Sequence, residues 1–455
     1  MQPRELRTAA DARALIEASG SSHVKIGVFD LDGILRGKYL AREKFFSGLE
    51  KGFGFCDVVL GWDSNDQLYD NVTFTGWHTG YPDAQVRILP ESCRELPFEP
   101  GTHFFLCEFA PPADAICPRG VLRRVIDRAR GMGYQAFAGL EYEFFVFEET
   151  PASVREKHYR NLTPVAPGYF GYSVLRNSVQ SDMYHGLLAL GQQMDFPIEG
   201  LHEETGAGVI EAALCVDTAE AAADKAGLFK TFTKVWCQRQ GKMATFMAKW
   251  SRDWPGQSGH IHLSLRGPDG KSVFHDPRAP HAISQTMRHF IGGQQRLLPE
   301  LLAMIAPTVN SYRRLIPGFW APTVSTWGVE NRTCALRCVP GSAKSQRMEV
   351  RVAAADANPH LALAAALAAG LHGIEHELEP EEPVRGNAYE QPVAPELAFS
   401  PTLWDAAQRF RQSQMARDWF GSAFVDHFAA TREWEEREFR KAVTDWELAR
   451  YFEII

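Results

Sequence analysis

Three runs in this chain set charged or imidazole side chains two residues apart in otherwise apolar sequence. They are residues 139–147 (GLEYEFFVF), 260–264 (HIHLS) and 347–351 (RMEVR). Residues two apart on a β-strand share a face. The spacing therefore predicts strands with one apolar face and one face carrying chemistry. Glu141 and Glu143 share such a face, as do His260, His262 and Ser264, and Arg347, Glu349 and Arg351. Burying like charges together is costly unless a cation or a proton intervenes. Each run alone also fits a solvated edge strand. The repetition of the pattern points to a ligand site inside a folded core.

The remaining composition narrows the class. Of 455 residues, 45% are hydrophobic and 23% charged, which suits a globular enzyme of two unequal or three domains. The net charge of −8 argues against a phosphate-tracking surface, so no nucleic-acid partner is expected. The eight cysteines (56, 93, 107, 117, 215, 237, 334 and 338) form no CxxC pair, and a reduced, cytoplasmic protein without disulfide or zinc site is expected. The opening twenty residues read as a polar helix without a signal-peptide core. The most apolar run, 361–371, is far shorter than the roughly 18 residues needed to span a bilayer, so no membrane partner is expected.

Along the chain, residues 23–30 alternate as a strand, Asp32-Gly33 marks a turn, and 34–40 reads as the hairpin partner. Residues 45–100 show little helical period and read as loop and strand, followed by a strand at 102–109. Pro111-Pro112 punctuates the chain, and Pro118 opens a helix over 119–131. A boundary is placed there: a β-rich domain over 1–110 and a larger catalytic domain over 111–455. Further strands are predicted at 135–147, 208–215, 243–249, 259–265, 333–338 and 346–352. Helices are predicted at 174–194, 217–240, 281–304, 359–377, 401–415 and from 424 onward. The fold class is α+β, with strands and helices that suit a barrel or saddle.

Residues 202–211 (HEETGAGVIE) add Glu203 and Glu211 on either side of a Gly-containing loop. Five carboxylates (Glu141, Glu143, Glu203, Glu211 and Glu349) with one imidazole are enough to hold two divalent ions. Such sets favour Mg²⁺ or Mn²⁺ over zinc. Six arginines fall between 313 and 351: Arg313, Arg314, Arg332, Arg337, Arg347 and Arg351. Guanidinium groups grip carboxylate and phosphate with paired hydrogen bonds. Acidic metal ligands beside arginines suggest phosphoryl transfer involving an anionic substrate. No GxxxxGK[ST] motif is present, so this is not a P-loop enzyme. A two-metal phosphohydrolase fits the same residues.

These segments, with NSYRRLIPGFWAP, ENRTCALR and RMEVRVAAADANPHLALAAALAAG, resemble the glutamine synthetase family from about residue 24 to the C-terminus. The resemblance implies a small N-terminal β-grasp domain, an open α/β barrel catalytic domain, and a homo-oligomer of two hexameric rings with shared active sites. It implies Glu143, Glu203 and Glu211 on a first metal, and Glu141, His260 and Glu349 on a second. It implies Arg314, Arg351 and the Gly256 backbone at glutamate, and Arg332, Arg337 and Arg347 at the phosphates and the transferring group. His262, Ser264 and Lys344 fall near ATP, and Asp63 matches loosely an aspartate offered to a neighbour's ammonium site. The implied reaction passes through γ-glutamyl phosphate, formed from L-glutamate and ATP, which an amine then attacks.

One departure bears on the acceptor. Ammonia-using members carry Glu in a PG-x-E-AP flap, whereas this chain reads PGFWAP, with Trp320 in that place. An indole is a donor only and cannot act as a base, and its apolar bulk favours a carbon-bearing amine. An alkyl- or arylamine is expected. Ammonia, a polyamine, and a scaffold without catalysis are the alternatives. Tyr389, in GNAYEQP, resembles weakly a modified tyrosine of some bacterial members and is read as a loop tyrosine.

Overall fold

A computed structural model describes residues 2–455 as a mixed α/β protein with a six-stranded and a nine-stranded sheet. The first sheet contains β1 (His23–Phe29), β2 (Leu35–Ala41), β3 (Phe53–Cys56), β4 (Asp83–Ile88), β5 (Arg94–Glu95) and β6 (His103–Phe109). Its order is β2-β1-β6-β4-β3, with β5 on β6, and only β1 and β6 pair in parallel. Alternation buries both faces. On one side Val24, Ile26, Val28, Phe105 and Cys107 meet Ala12 and Ile16 of helix Ala9–Ser19 and Phe45 of helix Arg42–Lys51. On the other, Phe29, Phe104 and Leu106 join the main core of the rest of the chain.

The second sheet contains β7 (Gln135–Phe147), β8 (Ile198–Glu203), β9 (Val209–Leu214), β10 (Asp217–Thr218), β11 (Met243–Thr245), β12 (Ile261–Arg266), β13 (Trp327–Val329), β14 (Leu336–Val339) and β15 (Arg347–Val350). Its order is β13-β14-β15-β12-β7-β9-β8, with β10 and β11 also on β7. Helices Pro118–Gly131, Ala219–Arg239, Gln285–Ile305 and Pro359–Glu375 supply the main core behind it. The last of these is capped by the Asn358 side chain, has Pro359 at its first position, and is almost entirely buried. It crosses Gln285–Ile305 at glycines: a Cβ on Gly373 would meet His289 O at 2.2 Å and Gly293 Cα at 2.6 Å.

Buried ion pairs tie the two sheets together. Glu108 on β6 takes Arg119 and Arg123, Arg119 also bonds Asp224 (3.1 Å), and His360 meets Asp224 at 2.8 Å. Helix Ser422–Phe439 then returns to the N-terminal segment. There Arg432 pairs with Asp32 (2.7 Å) and His427 Nε2 donates to Leu60 O (2.9 Å). The described residues contain no helix long and apolar enough to cross a membrane.

Several local expectations need correction. Helix Arg42–Lys51 begins just before, and mostly lies in, a stretch read as loop and strand, because ten residues with adjacent Phe45 and Phe46 show no clear period. The helix expected over 174–194 breaks at Gln180, whose side chain bonds Val165 O (3.0 Å). That over 281–304 starts only at Gln285, where Ser284 caps it, and that over 401–415 breaks at Ser413, which caps the next helix. Strand 243–249 shortens to β11, and β8 and β13 were not anticipated. All eight cysteines are free.

The crossing of the two long helices is testable. Gly373→Ala should lower unfolding free energy by about 1–3 kcal/mol through overpacking, read as a reduced thermal midpoint with unchanged far-ultraviolet circular dichroism.

Candidate active site

The central strand β7 places the site. Its even-numbered residues Leu140, Tyr142 and Phe144 enter the main core, so Glu141 and Glu143 face the other way, into a cavity of about 610 Å³. Farther along the same face, Phe145 and Phe147 meet Trp250 edge-on in a small apolar cluster that includes Val209, which lines the cavity. Neighbouring strands add matching rows, because residues paired directly across an antiparallel ladder share a face. Glu211 on β9 lies opposite both Glu143 on β7 and His202 on β8. On the other flank, Glu349 on β15 lies opposite His262 on β12 and Arg337 on β14.

Five carboxylates and five guanidinium groups line this cavity, and they are not mixed evenly. Glu349 touches Arg337 (2.9 Å) and Arg351, and His260 Nδ1 lies 3.4 Å from both Glu349 and Glu141. Burial raises the Glu349 pKa, but the charges of His260 and Arg351 outweigh it and hold the carboxyl down to about 2. Glu141 is likewise held far below the carboxylate range by His260 and His262 despite burial. Arg347 Nε donates to His262 Nδ1 (3.0 Å), which leaves the proton of that imidazole on Nε2, 2.9 Å from Glu141. Donor atoms of Glu141, His262 and Glu349 lie within 4.8 Å of one another, and His260 Nδ1 stands 3.4 Å from the same two carboxylates, so both imidazoles face the place a cation would take between Glu141 and Glu349.

The opposite end has no guanidinium ion pair. Glu143 accepts the Ser258 amide (2.7 Å), Glu204 accepts from the Thr205 amide (2.6 Å) and hydroxyl (3.1 Å), and the one basic side chain beside Glu204 and Glu211 is His202, at 3.8 and 3.6 Å. Burial and the charges of Glu143, Glu141 and Glu204 push the Glu211 pKa well above the usual range. A divalent cation is the natural counter-charge for such a cluster. The residues therefore fit metal ions at both ends, with oxygen donors dominating.

Most expected site residues converge here: Glu141, Glu143, Glu211, Gly256, His260, His262, Arg314, Trp320, Arg332, Arg337, Arg347, Glu349 and Arg351 all line the cavity. A Cβ on Gly256 would strike Arg314 Cγ at 2.5 Å, so only glycine fits between the aliphatic stem of Arg314 and the Ala248 carbonyl. Burial lowers the Arg314 pKa to about 10, and its Nη atoms donate to Val352 O and Arg351 O, which fixes its plane. Ser264 and Lys344 line an adjoining cavity of about 260 Å³ that shares Glu141, His262 and Arg347 with the first.

One expected residue is placed elsewhere. Glu203 does not line the cavity: it pairs with Ile210 on the core side of the β8–β9 hairpin and is only 6% exposed. Glu204, the next residue, lines the cavity instead. The β8 strand ends there, and its register on β9 puts 202 and 211 on one face and 203 on the other. Asp63, expected to serve a neighbouring subunit's site, does not line its own chain's cavity. Its carboxylate is occupied by Trp434 Nε1 (3.1 Å) and by the amides of Asn65 and Gln67. Tyr172, Val209 and Phe319 line the cavity without having been anticipated, and the Tyr389 hydroxyl is enclosed rather than presented to solvent.

With this geometry in place, known proteins are informative. Residues 115–451 match the family described as glutamine synthetase, catalytic domain. The chain belongs to the glutamine synthetase family. Members of this family are ATP-dependent ligases. Over 97% of its length the chain is 45% identical to type-1 glutamine synthetase 2 of Dictyostelium discoideum, covering 85% of that protein. It is 36% identical to glutamate–isopropylamine ligase of a Pseudomonas species, covering 97% of each chain. It is 37% identical to gamma-glutamylethanolamide synthetase of Streptomyces coelicolor, covering 97% of this chain and 95% of that one. The solved GmaS/ADP complex superposes with a TM-score of 0.85 at 25% identity, over 97% of this chain and 99% of that chain.

Two predictions follow from the site's charge. Glu204→Gln should weaken Mg²⁺ binding roughly tenfold or more, whereas Glu203→Gln should leave it nearly unchanged, as titration calorimetry would show. Because the native Glu211 pKa lies above its unfolded value, its contribution to stability is present in acid and is lost as pH rises. In chelator-treated protein the urea midpoint should therefore fall from pH 5 to pH 8. Mg²⁺ or Glu211→Gln should remove that fall.

Proposed function

We propose that this enzyme joins the γ-carboxylate of L-glutamate to an uncharged-tailed primary amine, alkyl or aryl, through γ-glutamyl phosphate. The observation that carries this reading is Trp320 at the cavity wall, where a flap glutamate would serve ammonia. It is 58% exposed, sits at φ +57°, and is flanked by Phe319. Lys249 Nζ lies 5.1 Å from the centre of the Phe319 ring. That positive charge disfavours a polyamine tail at the same wall. The names of the isopropylamine and ethanolamide relatives support an organic amine. The Dictyostelium relative supports the second reading, ammonia.

In the proposed arrangement Arg314 and Arg351 hold the glutamate carboxylates, and the Gly256 backbone contacts the substrate between them. Arg332, Arg337 and Arg347 face the phosphates, and His262, Ser264 and Lys344 line the ATP side. Glu143, Glu204 and Glu211 would hold one Mg²⁺ or Mn²⁺, and Glu141, His260 and Glu349 a second. Bound ions there neutralise charge on the transferring phosphoryl group. The arginines add fixed positive charge that needs no reorganisation during transfer. Residues 1–110 are proposed as the β-grasp domain and 111–455 as the open barrel of a cytoplasmic dodecamer.

Phosphate release with glutamate, ATP and a panel of amines tests this. An alkyl- or arylamine should give the highest kcat/KM, and ammonium giving the highest value would overturn the reading. Trp320→Glu should raise kcat/KM for ammonium relative to the organic amine.

A further inference from the structure

We propose that His202 is a direct nitrogen ligand of the first metal ion, joining Glu204 and Glu211. This rests on the reading of that end of the cavity as a metal site, and it changes the chemistry expected there from all-oxygen to mixed oxygen and nitrogen. Three observations carry it. The β8–β9 ladder puts His202 directly opposite Glu211, on the cavity face. One donor atom from each of His202, Glu204 and Glu211 lies within 4.8 Å of the others, with Nε2 at 3.6 Å from Glu211 and 3.8 Å from Glu204. Those separations are too long for hydrogen bonds. They match the spacing of donors that each stand about 2.0–2.3 Å from a shared ion. Nε2 is enclosed and has no hydrogen-bond partner, so it is an orphan aimed at the gap between two carboxylates.

The ring is also held ready. It stacks on Tyr172 with centroids 4.3 Å apart and planes within 11°. The Tyr172 amide in turn bonds Glu203 O (2.8 Å), which anchors the stacking partner to the end of β8. A ligand whose plane is fixed before binding loses little freedom when the ion arrives. With His260 at the other end, each ion would have one imidazole. Imidazole suits later first-row ions better than Mg²⁺. The second imidazole would therefore tilt the enzyme toward Mn²⁺.

Pulsed electron paramagnetic resonance of the Mn²⁺-loaded full-length protein tests this without recourse to turnover. Two directly coupled histidine nitrogens are expected in the wild type, identified by exchange of ¹⁴N- for ¹⁵N-histidine. His202→Ala should remove one coupling and weaken Mn²⁺ roughly tenfold or more at one site, with a smaller loss for Mg²⁺. Two bound Mn²⁺ ions with a single coupled histidine in the wild type would overturn the role of His202 alone. Failure of the wild type to bind two ions would overturn the metal reading itself. The wild-type spectrum decides the matter even if the variant does not fold.

Discussion

The structure is organised around the cost of burying carboxylates. Glu141, Glu143, Glu204, Glu211 and Glu349 share one cavity, and no packing of apolar groups relieves their mutual repulsion. Two different solutions coexist a few ångströms apart. Around Glu349 and Glu141 the protein supplies its own compensation, through Arg337, Arg351, His260 and His262. Around Glu211 it does not, and the proton is retained far above the normal carboxylate range. The asymmetry makes one end of the cavity a ready-built polar network and leaves the other dependent on a cation.

The strands can bear this load because their reverse faces are so well packed. Tyr142 stacks near Phe229 and Phe246, and the nearly all-buried helix Pro359–Glu375 runs through the same core. A rigid sheet holds rows of donors in register, which is what pre-organised electrostatics require. Selectivity for the acceptor is instead assigned to the wall formed by Phe319 and Trp320. That wall belongs to an exposed loop rather than to a strand. The proposed function would thus place phosphoryl transfer on strands and acceptor choice on a loop, and loops tolerate substitution at lower cost.

Period-two spacing made much of the site legible before any coordinates. Glu141 with Glu143, His260 with His262, and Arg347 with Glu349 and Arg351 each needed only strand alternation to be placed on one face. Glu203 shows where that logic stopped. The spacing predicts a strand over 208–215 but none for β8, so the adjacent glutamates at 203 and 204 are not told apart. The hairpin register resolves them, because Glu203 faces Ile210 and the core while His202 faces Glu211. Helix boundaries at Gln180 and Ser413 were hidden for a related reason: each break is made by a side chain bonding a backbone group, a choice that apolar periodicity does not encode.

The amino-acid order by itself determined which side chains alternate, how much apolar surface each strand offers, and that a donor-only indole, Trp320, stands in the PGFWAP segment. Those are properties of neighbours within a few residues, governed by backbone geometry alone. Only the tertiary structure decided that strands from residues 139 to 351 converge on one cavity, that Glu204 rather than Glu203 enters it, and that Asp63 is consumed by Trp434. These outcomes depend on register and packing between segments hundreds of residues apart, where the competition among burial, charge and hydrogen bonding is settled by the whole fold.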